Sequence, residues 1–254
     1  MTPTRSFGRI AATALVLVVF ILPPLWLLAS ALKPQAEIFQ WPPTLWPEHF
    51  TFENFEKTMS RANFGLYFLN SAIVSVTSAC LSVAMSVMAG YALSKFRFKG
   101  DTVFFLLIMS ALMVPLQIVL IPVFLVLRDL GLLNTLWGLI IAPAATPTGV
   151  FLMRQYITGI PDHLIEAARI EGTPEWRILL RIIVPLALPA IGTLLAFNLV
   201  WRWNDYLWPF LIVTKQEQWT VQLAIANSIG RFSINWPRLL SMTVLSILPM
   251  FVMF

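Results

Sequence analysis

Six apolar stretches, at 10–32, 66–93, 103–127, 136–156, 182–212 and 239–254, constrain this chain more than any other feature of its sequence. A hydrocarbon core about 30 Å thick is crossed by roughly 20 residues of α-helix, and the first five stretches reach that length. The last one gives about 24 Å of helix. Inside a bilayer every backbone polar group must be paired within its own segment or within a closed barrel, so continuous runs of this length predict helices. Only 11% of the 254 residues are charged, against about 25% in soluble domains. The sequence therefore predicts an all-α integral membrane protein with six transmembrane helices in a single transmembrane domain over 1–254.

Lys and Arg near the span ends set the orientation. Arg5 and Arg9 precede the first stretch, Lys95, Arg97 and Lys99 follow the second, and Arg154, Arg169, Arg177 and Arg181 follow the fourth. If every run crosses, these fall on one side, which predicts a multi-pass protein with a cytoplasmic amino terminus. Lys33, Lys57, Arg61, Arg128, Lys215, Arg231 and Arg238 are spread more thinly over the other side. The ASA at 29–31 matches a small-residue cleavage pattern, but the first run is long for a signal peptide and five more follow. The sixth run stops at Phe254 without a polar anchor, which predicts further chain beyond it.

Several function classes are excluded. The net charge of +5 is scattered through connecting segments and forms no run that could track nucleic acid, so no nucleic-acid partner is expected. Cys80 is the single cysteine; it predicts a small buried residue and no disulfide or thiolate cluster. His49 and His163 lie outside the spans, and no phosphate-binding loop, H-E-x-x-H or G-x-S-x-G occurs. The expectation is no catalytic residue, no metal site and no cofactor held by this chain. Nor do the spans carry a buried carboxylate relay of the kind many ion-coupled carriers use. Uphill transport would take its energy from another subunit.

The polar content inside the spans is confined to a few places. Ser78, Ser82, Ser86 and Gly90 recur at i, i+4 beside Ser71, Ser75 and Ala79, which predicts close helix packing ahead of a polar pore lining. Pro23 and Pro24, Pro115 and Pro122, Pro143 and Pro147, and Pro185 and Pro189 interrupt four spans. The segment PAATPTG at 143–149, with Thr146 and Thr148, reads equally as a broken helix on a transport path or as a simple kink. WRWNDYLWP at 201–209 places Arg202 and Asp205 at i, i+3, where each can neutralise the other. Around them Trp201, Trp203, Tyr206 and Trp208 could stack on a sugar that Asn204 and Asp205 hydrogen-bond. An interfacial aromatic belt with a snorkelling arginine is the equal alternative. The candidate substrate path thus comprises Thr146, Thr148, Arg202, Trp203, Asn204, Asp205 and Tyr206.

A charged segment, 157–181, interrupts the apolar pattern after the fourth span. Pro161 and Asp162 suit a helix start, Gly172 a stop, and Thr173-Pro174-Glu175 a second start. Glu166, Ala167, Ala168 and Arg169 combine charge with small residues, as does a helix that seats in another protein's groove. E-A-A at 166–168, Glu171-Gly172 and the apolar run ending I-V-P-L-A-L-P (183–189) resemble the cytoplasmic EAA loop of permease subunits in bacterial ABC importers. Glu171 stands where aspartate is common, and Thr173 where alanine is common. The resemblance extends to AGYALSKFRFKG (89–100), MVPLQIVLIPVF (113–124), GLLNTLWGLI (131–140), WNDYLWPF (203–210) and INWPRLLSMTVLSILP (234–249). These are similar to the carbohydrate-uptake, maltose-type permeases.

That resemblance implies the transmembrane domain of a type I importer in the bacterial inner membrane, surrounded by membrane lipid. Its partners would be two cytoplasmic ATPase subunits holding ATP and Mg, a second homologous permease forming a heterodimer, and an extracytoplasmic solute-binding protein. It implies an ATPase-coupling role for Glu166, Ala167, Ala168, Arg169, Glu171 and Gly172. Sugars or small oligosaccharides are the implied cargo, with glycerol phosphate or a polyol-type cargo as the alternative. An ion-coupled carrier would leave the EAA segment unexplained. Family members end in a basic, glycine-containing tail absent from this sequence, so contacts of that tail are not carried over.

Overall fold

The computed structural model describes residues 3–61, 63–229 and 234–253. Arg231 and Phe254 lie outside the described residues, as do the side chains of Arg5 and Arg61. The regular elements among the described residues are helices, with one isolated bridge between Ile229 and Ile234. Contacts divide the chain into Met1–Phe68 with Val221–Phe254, and Leu69–Thr220.

Among the described residues, two of the six predicted runs are single helices long and apolar enough to cross a membrane, Ala12–Ala31 within Pro3–Ala31 and Phe64–Lys95. The third and fifth are bent pairs: Asp101–Met113 meets Leu116–Asp129 at 106°, and Glu175–Leu186 meets Leu188–Trp203 at 81°. Counting each pair as one span gives up to four by length and composition. The fourth run is divided into Leu136–Ile141 and Pro147–Thr158, and the last forms Trp236–Met253. A residue before proline is pushed out of the helical region by the ring. Val114 before Pro115 and Thr146 before Pro147 are both extended, and each lies at a break. Pro23, Pro24, Pro122 and Pro249 stay inside helices.

In the first unit, Trp236–Met253 packs on Pro3–Ala31 and Glu53–Arg61. Thr58 and Ser241, both buried, join their hydroxyls at 2.6 Å across that packing. Ala29, Ser30 and Ala31 are buried at the helix end, where Asn54 Nδ2 donates to the carbonyls of Ala31 and Lys33. Lys33 Nζ donates to Thr44 Oγ1 at 2.9 Å, and the Glu37 carboxylate accepts from the backbone N–H groups of Glu48 and His49. Residues 33–54 are thus folded back on themselves by side chains that satisfy loop backbone.

In the second unit, the expected small-residue face of Phe64–Lys95 is buried at Ser71, Ser75, Ser78, Ala79, Ser82, Ser86 and Gly90. It meets Pro147–Thr158 at backbone distance: a Cβ on Gly90 would lie 2.8 Å from the Arg154 nitrogen and from Met153 Cβ. Cys80 is exposed rather than buried. One residue of helix turns about 100°, which carries Cys80 off the face that Ala79 shares with the serines. The core of this unit joins Val83, Val87 and Tyr91 to Met153, Ile157, Ile165, Ile178 and Ile183.

Candidate functional site

The charged segment after the fourth run forms two helices, as its spacing predicts. The first is Asp162–Ile170, with Pro161 as its N-cap residue and Asp162 in the first turn. Gly172 follows with φ +77°, a left-handed conformation that glycine adopts without Cβ strain. The second helix begins at Glu175 with Pro174, rather than Thr173, at its N-cap. It passes through a π-helical turn, Leu179–Ile183, before the 81° bend.

Ile165 and Ala168 turn inward onto the unit's core, while Glu166, Ala167, Glu171 and Gly172 are exposed. The two alanines of the E-A-A motif therefore have different surroundings. Ala168 is a contact within the chain, and Ala167 faces outward. Ile170 is 87% exposed beside them, a large apolar side chain that sequence reasoning did not single out. The available signal was its position off the Ile165–Ala168 stripe, two residues on from the second alanine.

Both ends of the Asp162–Ile170 helix are fastened to the end of Phe64–Lys95. Lys95, whose side chain is only 4% exposed, sends Nζ to the Ile160 carbonyl and to Asp162 Oδ1, each at 2.6 Å. That hydrogen bond, together with the charges of Lys95, Arg97 and Arg169, holds the Asp162 carboxyl below the usual carboxylate range. At the other end Arg169 Nε donates to Glu175 Oε1 at 2.6 Å, and the Tyr91 hydroxyl donates to Glu175 Oε2 at 2.6 Å. Arg169 is the main cause holding the Glu175 carboxyl low, against the opposing effect of burial. Neither Tyr91 nor Glu175 was legible as a pair, because 84 residues separate them.

The second candidate region centres on Arg202 and Asp205. Arg202 and Asp205 form an ion pair at 3.5 Å, with side chains 9% and 14% exposed. Asp205 also accepts the Trp208 backbone N–H at 3.3 Å. Arg202 Nη2 reaches the Pro143 carbonyl at 3.4 Å. In a continuous helix that carbonyl would accept from the residue four positions on, but that residue is Pro147, which has no N–H. Arg202 supplies the missing donor. The two polar islands are therefore joined, through a backbone carbonyl. Thr146 Oγ1 lies 3.2 Å from Ser82 Oγ, inside the seam with Phe64–Lys95. Trp203 is buried, whereas Thr148, Asn204 and Tyr206 are exposed, so these candidates do not converge on one enclosed site.

No group of three His, Cys, Asp or Glu side chains able to hold a metal occurs among the described residues.

Comparison with known proteins gives a consistent result. Residues 82–254 match the family described as the binding-protein-dependent transport system inner membrane component. The chain is 32% identical to the diacetylchitobiose uptake system permease protein NgcG of Streptomyces coelicolor, over 98% of this chain and 84% of that protein. It is also 32% identical to the arabinooligosaccharides transport system permease protein AraQ of Halalkalibacterium halodurans, over 100% of this chain and 92% of that one. Among solved structures, a bacterial ABC transporter involved in import of the acidic polysaccharide alginate superposes with a TM-score of 0.87 at 26% identity. That match covers 99% of this chain and 95% of its counterpart.

Proposed function

From the premise that the chain belongs to the binding-protein-dependent transport system inner membrane components, the permease subunits of ABC importers, we propose that it moves a sugar or small oligosaccharide inward across the bacterial cytoplasmic membrane. The similarity to the chitobiose and arabinooligosaccharide permeases supports that cargo class. The charge of Arg202 is already matched by Asp205, which favours a neutral cargo over glycerol phosphate or another polyol phosphate. In this reading the amino terminus is cytoplasmic, the six apolar runs cross the membrane, and 201–209 with 143–149 border the solute path.

The Asp162–Ile170 helix is the element gripped by a partner ATPase subunit. Two such subunits bind ATP and Mg, and their closure drives the spans between inward-open and outward-open states that nucleotide and docked ligand bias. A second homologous permease completes a heterodimer, and a solute-binding protein docks on 33–65 and 213–236 outside. The observation that carries the coupling assignment is the outward face of Glu166, Ala167, Ile170 and Glu171 on a helix fastened at both ends.

The test is the complete transporter in proteoliposomes, with ATP inside and binding protein outside. Glu166→Lys and Gly172→Trp are expected to uncouple ATP hydrolysis from sugar uptake. Unchanged uptake in both variants would sink the assignment.

A further inference from the structure

We propose that Glu175 is a positioning residue: through Tyr91 and Arg169 it locks the Asp162–Ile170 helix to the end of Phe64–Lys95, so that force applied to the one reaches the other. The proposal rests on the coupling reading above and adds the route by which movement leaves the gripped helix.

The need for such a lock comes from the turn between the two helices. At Gly172 nothing lies within 4 Å of where a Cβ would be, and φ is positive. Within the turn the backbone closes on itself, with Gly172 N donating to the Arg169 carbonyl and Thr173 N to that of Ala168. No neighbouring side chain fills the space beside the Gly172 Cα, so what braces the turn beyond these backbone bonds is the contact made across it. Arg169 and Glu175 straddle this point, and their 2.6 Å contact spans it.

Glu175 uses both carboxylate oxygens on separate elements, one for Arg169 and one for the buried hydroxyl of Tyr91. Hydrogen bonds to an ionised carboxylate are roughly twice as strong as neutral ones. Phe96 completes the cluster, with its ring edge-on to Tyr91 at 5.4 Å and the Arg169 guanidinium 5.2 Å from its centroid. Lys95 holds the opposite end of the helix. Without Glu175 the helix keeps the Lys95 tether, the Arg169–Phe96 contact and the buried Ile165 and Ala168, but it loses the ionic contact that spans the Gly172 turn, while its outward face stays intact for the ATPase.

The consequence is a change in the ratio of two rates. In the reconstituted complex, Glu175→Gln and Tyr91→Phe are expected to retain the ATPase subunits on purification and to keep ATP hydrolysis within about twofold. Solute uptake falls by about tenfold in each, as expected when a hydrogen bond to a charged group is lost. The double variant falls no further than the worse single, because both remove one connection. Glu175→Asp, which keeps the charge, recovers part of the uptake. Hydrolysis and uptake falling in parallel, or a ratio equal to wild type, overturns the proposal. So does additive loss in the double variant. Tyr91→Phe removes a single hydroxyl, so it keeps the test decisive if the Glu175 variants do not assemble. A wild-type complex that takes up no solute with ATP would instead refute the importer reading itself.

Discussion

Gly172 shows how a residue's cost can lie in its backbone and not in its surroundings. Its Cβ position is empty and its φ is +77°, so size alone is not what excludes a side chain. Asparagine tolerates this conformation and β-branched residues do not. Gly172→Asn is therefore expected to retain most coupled uptake, whereas Gly172→Val costs about 1–2 kcal/mol in the turn; the two uptake rates in proteoliposomes check this. Gly90 is the opposite case, since a Cβ there would press on the Arg154 backbone. Gly90→Val should destabilise the complex by about 2 kcal/mol through overpacking, read as a lower thermal midpoint in detergent. Both glycines were legible as motif members. Their different reasons were not, because one depends on a dihedral and the other on a helix 64 residues away.

At the scale of elements, the broken fourth run is repaired by the fifth. Arg202 donates to the carbonyl that Pro147 leaves without a partner, and Asp205 balances its charge. Removing one member of a buried pair costs more than replacing both. Arg202→Met should lower the thermal midpoint more than the double variant Arg202→Met/Asp205→Leu; the reverse order would exclude the pairing as the cause. The sequence made the i, i+3 pair legible, and the prolines made the break legible. That one serves the other depends on the distance between chain segments 59 residues apart.

The tethers of the Asp162–Ile170 helix respond to acid in a defined direction. The carboxyls of Asp162 and Glu175 are both held low, by Lys95 and by Arg169 respectively. A depressed folded value means that their contribution is present above the unfolded values near pH 4 and is lost as pH falls through the folded values. Amide exchange across 162–175 should therefore stay slow and pH-independent, after correction for intrinsic rates, down to about pH 5 and rise below about pH 4. Accelerated exchange on raising pH from 5 to 8 would contradict the assignment.

For the whole molecule, apolar run length identified all-helical membrane architecture, and the family match agrees with it. Run length could not show that, among the described residues, only two runs form single helices long and apolar enough to cross a membrane, because hydropathy is blind to backbone direction. Proline positions marked the candidate breaks, but Pro122 bends nothing sharply and Pro115 lies at 106°. The difference lies in Val114, which leaves the helical region. Because energy enters through partner subunits, this chain alone in liposomes under a proton or sodium gradient is expected to give no uptake above protein-free vesicles. Gradient-driven uptake by the isolated chain would point to a carrier instead.

The 81° bend between Glu175–Leu186 and Leu188–Trp203 has a consequence in simple leverage. Twelve residues, from 175 to 186, form an arm about 18 Å long at the rise of an ordinary helix. A rotation of about 10° at the elbow would sweep its far end through about 3 Å. Because the arm lies across the axis it joins, in the proposed coupling a small sideways stroke at Glu175 would become a twist of the Leu188–Trp203 shaft, a conversion that a straight helix of the same length could not make.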